Sequence, residues 1–325
     1  MGDTARKLHR FAHEAMTVTF EAVIAHDDAT EARQAAGAAF AELDRLEGLM
    51  SRFDACSDIA QVNRLDPGQC VGVDISVFEC LATAAEVWAD TQGAFDVTIG
   101  AVMKYQEVDN VPPPGPEDES PSDALDRVGM DRLIMDRDGF LVGIRDTGWG
   151  YRPGRVSVDL GAIGKGFALD KMLEVFDDWD IANALVHGGT STVRVIGSPG
   201  DEGWAVAVGG PWAEAAGIEK VVLSAGAVSG SGTQVRGEHI VDPRTGCPAD
   251  GPLAAWVICH CGAVADALST ALMVMSADEA TSYCRACNDI AVLLVLPDEN
   301  APGGERILRL GPDRSDYFEF FLKNH

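Results

Sequence analysis

The sequence predicts an α+β protein, a single large domain in which mixed, mostly antiparallel sheets are flanked by helices. The chain has 325 residues, of which 46% are apolar, and this is enough material for one substantial core. Several strand-like segments follow one another directly, which is typical of α+β proteins and not of strict strand-helix alternation. No unit of roughly 20 to 50 residues repeats, so we expect no repeat architecture.

The N-terminal part predicts a tail, a strand and two helices. We assign residues 1–14 to a tail and residues 15–325 to the domain. The alternating stretch 16–26 is typical of a half-buried strand. Residues 30–50 and 76–91 have apolar side chains at helical spacing, so each predicts an amphipathic helix.

Residues 111–123, VPPPGPEDESPSD, are too rich in proline and acid to build a core and predict an exposed loop. A linker between two domains is the alternative, but strand signals resume at once after it. The later strands are predicted at 132–136, 140–144, 156–160, 183–189, 204–210, 221–226, 254–260 and 290–296. The later helices are predicted at 166–179, 264–275 and 277–287.

The charge balance excludes several classes of partner. With 51 acidic and 25 basic side chains, the formal charge of -26 repels nucleic acid and anionic membrane surfaces. No apolar run approaches the roughly 20 residues of a membrane span, and the first residues lack the apolar run of a secretion signal. We therefore expect a cytoplasmic protein. An anionic substrate would require a divalent cation to offset its repulsion from so acidic a chain.

Eight cysteines without a secretion signal are typical of reduced thiols. Two pairs are close in sequence, Cys259 with Cys261 and Cys284 with Cys287. A zinc site that uses both pairs is the alternative. The single-residue spacing of the first pair, in an apolar strand-like run, favours buried or incidental thiols.

Residues 156–172, VSVDLGAIGKGFALDKM, combine a short strand, three glycines and a helix. Glycines let the backbone approach a ligand closely and a helix start favours anions, so a phosphate could bind here with Lys165. The stretch is neither a Walker P-loop, since Asp159 and Gly166 occupy key positions, nor a dinucleotide fingerprint. A tight strand-to-helix turn without a ligand is the alternative.

In the predicted helix 264–275, Asp266 and Thr270 stand four residues apart and share one face. A carboxylate and a hydroxyl are hard oxygen donors that suit Mg²⁺ better than zinc. A helix cap or a solvated edge would explain the same pair.

The stretch HIVDPRTG, 239–246, has the residues of a turn, in which Asp242, Pro243 and Gly246 break any regular helix. His239 then stands at the end of a strand, where an imidazole could act as a base near neutral pH. A purely structural histidine is the alternative.

Read in order, these segments resemble the FAD:protein FMN transferase family, also called the ApbE family. Six blocks carry the resemblance: MSRFDACSDIAQVNR, GAFDVTIGAV, VDLGAIGKGFALD, ALVHGGTSTVRVIG, HIVDPRTGCP and ADALSTAL. The resemblance implies a T-fold-related domain that cleaves the FAD diphosphate and attaches FMN to a threonine or serine of a target flavoprotein, releasing AMP. It also implies a requirement for Mg²⁺.

The resemblance further assigns roles by matching positions. Asp266 and Thr270 would bind the metal through their side chains, and Ala162 through its carbonyl. FAD would be held by Met50, Ala94, Phe95, Asp96, Lys165 and His239. We expect Asp266 and His239 to be catalytic, with His239 as the base that deprotonates the acceptor hydroxyl.

The chain also departs from the family pattern. Thr190 replaces an aspartate, Gly164 replaces an alanine, and the segment between VSGSG and HIVDP is shorter than usual. Two other functions are therefore considered. Water in place of the acceptor hydroxyl would make the protein an FAD pyrophosphatase that yields FMN and AMP. Loss of turnover would leave a non-catalytic FAD-binding protein.

Overall fold

An eight-stranded sheet forms the centre of the protein. The computed structural model describes residues 6–103, 121–146, 155–200, 202–212, 220–232, 240–301 and 303–311. Every neighbouring pair of strands in the large sheet is antiparallel. Its order is β1 (Leu8–Ala15), β2 (Val18–Ala25), β6 (Ala184–Gly188), β7 (Thr192–Ile196), β10 (Ala225–Gly232), β11 (Ala254–Cys259), β12 (Ala291–Pro297) and β13 (Glu305–Leu310).

Two smaller antiparallel sheets accompany the large one. The first has the order β3, β5, β4, and the second is the pair β8 and β9. Their strands are β3 (Cys70–Gly72), β4 (Leu133–Asp136), β5 (Leu141–Ile144), β8 (Trp204–Ala207) and β9 (Lys220–Leu223).

Eight α-helices are found in the described part of the chain. They are α1 (Ala29–Met50), α2 (Asp58–Val62), α3 (Ile75–Asp90), α4 (Gly100–Met103), α5 (Pro121–Leu125), α6 (Gly164–Asp178), α7 (Gly262–Val274) and α8 (Ala277–Ala286). Side-chain caps fix several of the starts: Asp28 accepts from Thr30 and Glu31 before α1, and Ser276 forms a capping box with Glu279 before α8. None of these helices is long and apolar enough to cross a membrane.

The large sheet separates two apolar layers because alternate strand residues face opposite sides. On β2, Phe20, Ala22 and Ile24 join the main core with the long helices. Val23 and Ala25 face the other way and pack in a second cluster with the β8–β9 pair. The result is an α+β fold in a single domain with mostly antiparallel sheets, which confirms the predicted fold class.

Several sequence-based boundaries are wrong. The strand expected over 221–226 is divided between β9, which ends at Leu223, and β10, which begins at Ala225. Residues 8–14, assigned to a tail, lie in β1, because Met16 and Thr17 form a tight turn with φ of 47° and 64° that pairs β1 with β2. Residues 156–160, expected to form a strand, have no regular strand pairing and form one isolated bridge, from Ser157 to Ile99. Residues 121–123 of the expected loop begin α5 instead, and residues 111–120 lie outside the described part of the chain.

Candidate active site

The site is built where the first turns of α6 and α7 touch each other through glycines. A Cβ atom added to Gly166 would lie 2.1 Å from the carbonyl oxygen of Gly262 and 2.8 Å from the Cβ of Asp266. A Cβ added to Gly262 would lie 2.6 Å from the carbonyl oxygen of Gly166. Only two glycines allow this approach, so the glycine-rich turn predicted from sequence lies directly against the helix that contains Asp266.

Asp266 is a buried carboxylate, 4% exposed, and both of its oxygens accept hydrogen bonds. Its Oδ1 accepts from the hydroxyls of Thr192 and Ser229, each at 3.1 Å. Its Oδ2 accepts from the backbone N–H of Gly166 at 3.1 Å and lies 3.5 Å from the ammonium of Lys165. These donors offset the cost of burying a charged group.

Strand β10 runs beside α7, and the spacing of its inward side chains is close to that of residues four apart on the helix. Two strand residues span about 6.8 Å and four helical residues about 6 Å, so successive inward side chains of the strand meet positions i and i+4 of the helix. Ser229 accordingly meets Asp266, and the Ser231 hydroxyl lies 2.8 Å from that of Ser269 and 3.5 Å from that of Thr270. Both predicted metal-binding side chains of α7 thus face hydroxyls of one strand.

Asp170 of α6 holds the start of α7 in place. It accepts hydrogen bonds from the backbone N–H groups of Gly262 at 2.9 Å and Ala263 at 2.8 Å, and the guanidinium of Arg194 donates to it at 2.7 Å. The N-cap residue of α7, Cys261, forms no side-chain cap of its own. A carboxylate supplied by the neighbouring helix therefore satisfies the free N–H groups of this helix end.

The glycine-rich turn is fixed from several sides. Asp159 accepts from the N–H of Gly161 at 2.7 Å and pairs with Arg52 at 3.1 Å. Asn63 exchanges two hydrogen bonds with the backbone of Val158, at 3.0 and 2.6 Å. Since Lys165 donates to the carbonyl of Gly161 at 3.2 Å, its ammonium lies between the turn and Asp266.

Met50 and Ala162 both lie next to the start of α6. Met50, the last residue of α1, is 6% exposed, and its Cε would be 3.5 Å from a Cβ on Gly164. That distance is an ordinary contact, so the glycine found in place of the family's alanine changes little in the local packing. Ala162 is half-buried, two residues before the start of α6.

The segment with Ala94, Phe95 and Asp96 runs beside the glycine-rich turn, since Asp159 donates its N–H to the carbonyl of Val97 at 2.7 Å. All three residues are at most 5% exposed. Asp96 accepts hydrogen bonds from Thr98 and from the N–H of Met130. Burial raises the pKa of the Asp96 carboxyl above its ordinary value of 3.8, although these hydrogen bonds oppose the shift.

Residues 240–246 form the predicted turn. The N–H of Gly246, whose φ is +70°, donates to the carbonyl of Asp242 at 2.8 Å. Arg244 pairs with the carboxylates of Asp242 and of Glu279 in α8, which raises the pKa of its guanidinium and anchors the turn to that helix. His239 lies outside the described residues.

The oxygen donors at this site fit a hard divalent cation. The carboxylate of Asp266, the hydroxyl of Thr270 and the backbone carbonyl of Ala162 are ligands of the types that Mg²⁺ prefers. The Lys165 ammonium lies 3.5 Å from Oδ2 of Asp266 and offsets part of the charge of this carboxylate.

The zinc alternative is not supported. Among residues that the structure describes, no group of three or more His, Cys, Asp or Glu side chains could hold a metal ion. Burial raises the pKa of Cys259 to about 12 and that of Cys261 to about 11, which keeps both thiols protonated near neutral pH. All eight cysteines are free.

Sequence reasoning missed several residues that support the site. Thr192 and Arg194 alternate with apolar residues along β7, and Ser229 lies in the weakly patterned run AGAVSGSG. Alternation does place Thr192 and Arg194 on one face. The strand sequence alone does not show which helices pack against that face. It therefore does not predict the contacts of Thr192 with Asp266 and of Arg194 with Asp170.

Comparison with solved structures identifies the class to which this fold belongs. The apo form of the flavinyl transferase ApbE from Pseudomonas stutzeri superposes with a TM-score of 0.77 at 24% identity, covering 95% of this chain and 97% of that one. The ApbE protein from Thermotoga maritima superposes with a TM-score of 0.75 at 25% identity, covering 94% and 97%. The class is thus an α+β domain with the fold of flavin transferases.

The family follows from the sequence match. The model of the ApbE family matches residues 16–294, so the chain belongs to the ApbE family. Among curated relatives, the FAD:protein FMN transferase of Salmonella typhimurium is 25% identical, covering 79% of this chain and 75% of its own length. The enzyme of the same name from Haemophilus influenzae is 26% identical, covering 77% and 75%.

Proposed function

We propose that this protein transfers FMN from FAD to a threonine or serine hydroxyl of a target flavoprotein, releases AMP and requires Mg²⁺. The observation that carries the proposal is the buried Asp266 carboxylate, which lies against the glycine-rich turn and Lys165. It occurs in a chain of the ApbE family whose curated relatives are named FAD:protein FMN transferases.

Asp266, Thr270 and the carbonyl of Ala162 would hold the Mg²⁺. When bound, the ion supplies positive charge against the diphosphate and the departing AMP. So acidic a chain, with a formal charge of -26, needs such a cation to accept an anionic substrate. Asp266 is therefore proposed as a catalytic residue through the ion that it holds.

The start of α6 would bind the FAD diphosphate. The positive end of its dipole favours an anion, and Lys165 adds a full charge beside it. We assign the remaining FAD contacts to Met50 and to the segment Ala94, Phe95 and Asp96, which runs along the turn.

The transfer step replaces the phosphoanhydride bond of FAD with a phosphoester bond to the acceptor. The acceptor hydroxyl oxygen attacks the phosphorus of the FMN part, and the bond from that phosphorus to the bridging oxygen of AMP breaks. His239 is proposed both as the base that takes the hydroxyl proton and as a residue that binds FAD. An alcohol is a weak nucleophile until it is deprotonated, so the step depends on such a base.

The proposal is tested by incubating the protein with FAD, MgCl₂ and candidate flavoproteins, followed by mass spectrometry of the intact acceptors. Addition of FMN to a threonine or serine, together with one AMP per flavin, is the expected result. Release of free FMN and AMP without modified acceptor would show the pyrophosphatase instead. Tight FAD binding without AMP at any metal concentration would show a non-catalytic binder.

A further inference from the structure

Two buried hydroxyls lie behind Asp266 on the side away from Lys165. Thr192 and Ser229 are both 0% exposed, and they are directly opposite each other on the paired strands β7 and β10. Their oxygens are 3.0 Å apart, and each is 3.1 Å from Oδ1 of Asp266. The two hydroxyls and one carboxylate oxygen therefore form a closed triangle in the interior.

The available protons decide how this triangle is bonded. Each hydroxyl has one proton to donate, so the two hydroxyls cannot serve all three contacts at once. A charged carboxylate is the stronger acceptor, so both protons go to Oδ1. Valine in place of Thr192 and alanine in place of Ser229 would fill nearly the same volume without a polar atom. Apolar packing alone therefore does not require these hydroxyls.

The two oxygens of Asp266 are consequently different. The terminal torsion of an aspartate is broad and nearly two-fold, so its donors determine which oxygen faces which side. Oδ1 is held by two hydroxyls, whereas Oδ2 has the N–H of Gly166 at 3.1 Å and the more distant Lys165 at 3.5 Å. Oδ2 is the oxygen that faces the glycine-rich turn.

We propose that Thr192 and Ser229 are positioning residues that fix Oδ1 and thereby direct Oδ2 toward the cation. This inference rests on the proposed function, in which Asp266 holds Mg²⁺. Partners of this kind typically change metal affinity by about 10- to 100-fold when they are removed. They contact neither substrate nor metal, so their effect is on the Mg²⁺ requirement.

The test uses Thr192→Val and Ser229→Ala, with Thr192→Ser as the variant that keeps the hydroxyl. Valine retains the β-branched shape that suits a strand. Ser76→Ala is the matched control, since Ser76 is also buried but its hydroxyl bonds to Arg45. The melting temperature of FAD-saturated protein is recorded against MgCl₂ concentration, which gives an apparent affinity that does not depend on turnover.

We expect Thr192→Val and Ser229→Ala each to require about 10- to 100-fold more Mg²⁺ for half-saturation, with Thr192→Ser and Ser76→Ala close to wild type. In transfer assays the same variants should raise the KM for Mg²⁺ more than they lower kcat. The two substitutions lie on different strands, so if one variant fails to fold, the other still decides the result.

Unchanged Mg²⁺ midpoints in both variants, with a wild type that responds to Mg²⁺, would overturn the positioning role and leave the proposed transfer activity standing. A wild type that transfers FMN but shows no response to Mg²⁺ would overturn the positioning role and the metal requirement together. Equal losses in Thr192→Ser and Thr192→Val would also overturn it, because shape and not the hydroxyl would then matter.

Discussion

The contact between Gly166 and Gly262 can be tested with a single methyl group. In Gly166→Ala the new Cβ would lie 2.1 Å from the carbonyl oxygen of Gly262, whereas real Cβ atoms essentially never approach closer than 3.0 Å. The two helices must therefore separate by at least 0.9 Å along this contact. The obstructing atoms are the backbone O and C of Gly262 and the Cβ of Asp266, and none of them is the far end of a flexible side chain, so side-chain rotation cannot relieve the clash.

The structure gives the size of the effect. Separation by this amount lengthens the hydrogen bond from the Gly166 N–H to Asp266 from 3.1 Å to about 4 Å, which breaks it. A lost hydrogen bond to a charged group costs about 1.5 to 3 kcal/mol, and overpacking costs about 1 to 3 kcal/mol. The higher helix propensity of alanine offsets about 1 kcal/mol of this loss. The free energy of unfolding should fall by about 1.5 to 5 kcal/mol.

The assay is guanidinium chloride denaturation, with Gly37→Ala as the matched control. Gly37 lies in α1 with no atom within 4 Å of an added Cβ, so its replacement should stabilise the protein by about 0.5 to 1 kcal/mol. Gly166→Ala should also weaken the apparent Mg²⁺ affinity by about 10-fold or more, because it disturbs Asp266. A Gly166→Ala protein as stable as the Gly37→Ala protein would refute the reasoning.

Substitutions at three other positions test the proposed base, the cap of α7 and the cap of α3. His239→Ala should lower the single-turnover transfer rate by about 10² to 10⁴-fold and lower FAD affinity less, since a base acts on the reaction step. Asp170→Asn should lower the free energy of unfolding by about 1 to 3 kcal/mol in urea, since it weakens the cap of α7. Asp74→Ala should lower it by about 1 kcal/mol at pH 7 through loss of the α3 cap. Burial opposes the ionisation of Asp74, but hydrogen bonds from the Ser76 N–H and Arg45 outweigh this effect and lower the pKa of Asp74 below 3.8. The contribution of Asp74 to the free energy of unfolding is therefore present above pH 3.8 and is lost as the pH falls through its lowered pKa.

An unchanged transfer rate in His239→Ala would remove the proposed base. Asp177→Asn changes an exposed acid on the same helix as Asp170 and should have little effect, so equal losses would contradict the capping role. Asp74→Asn keeps a good cap without the charge. A difference in the free energy of unfolding between wild type and Asp74→Ala that did not decrease as the pH fell below 3.8 would contradict the assigned titration.

The family resemblance and the local patterns predicted much of the fold. The helices at 30–50, 76–91 and 264–275 agree with α1, α3 and α7 to within two residues at each end, because apolar spacing and capping residues are local features. The β1–β2 hairpin was missed because its turn uses Met16 and Thr17 at positive φ, which neither residue type indicates. The isolated bridge at Ser157 was mistaken for a strand because apolar alternation does not reveal whether a pairing partner exists.

Sequence by itself determined the local chemistry of this protein: the glycines and lysine that begin α6, the carboxylate and hydroxyl four residues apart on α7, and the family to which the ordered blocks point. The tertiary structure decided what surrounds them. Asp266 meets Ser229, Thr192 and Gly166 across 37, 74 and 100 residues of chain. Contacts over such separations depend on the register of strands and on how closely two helices pack, and neither is encoded in a short stretch of sequence.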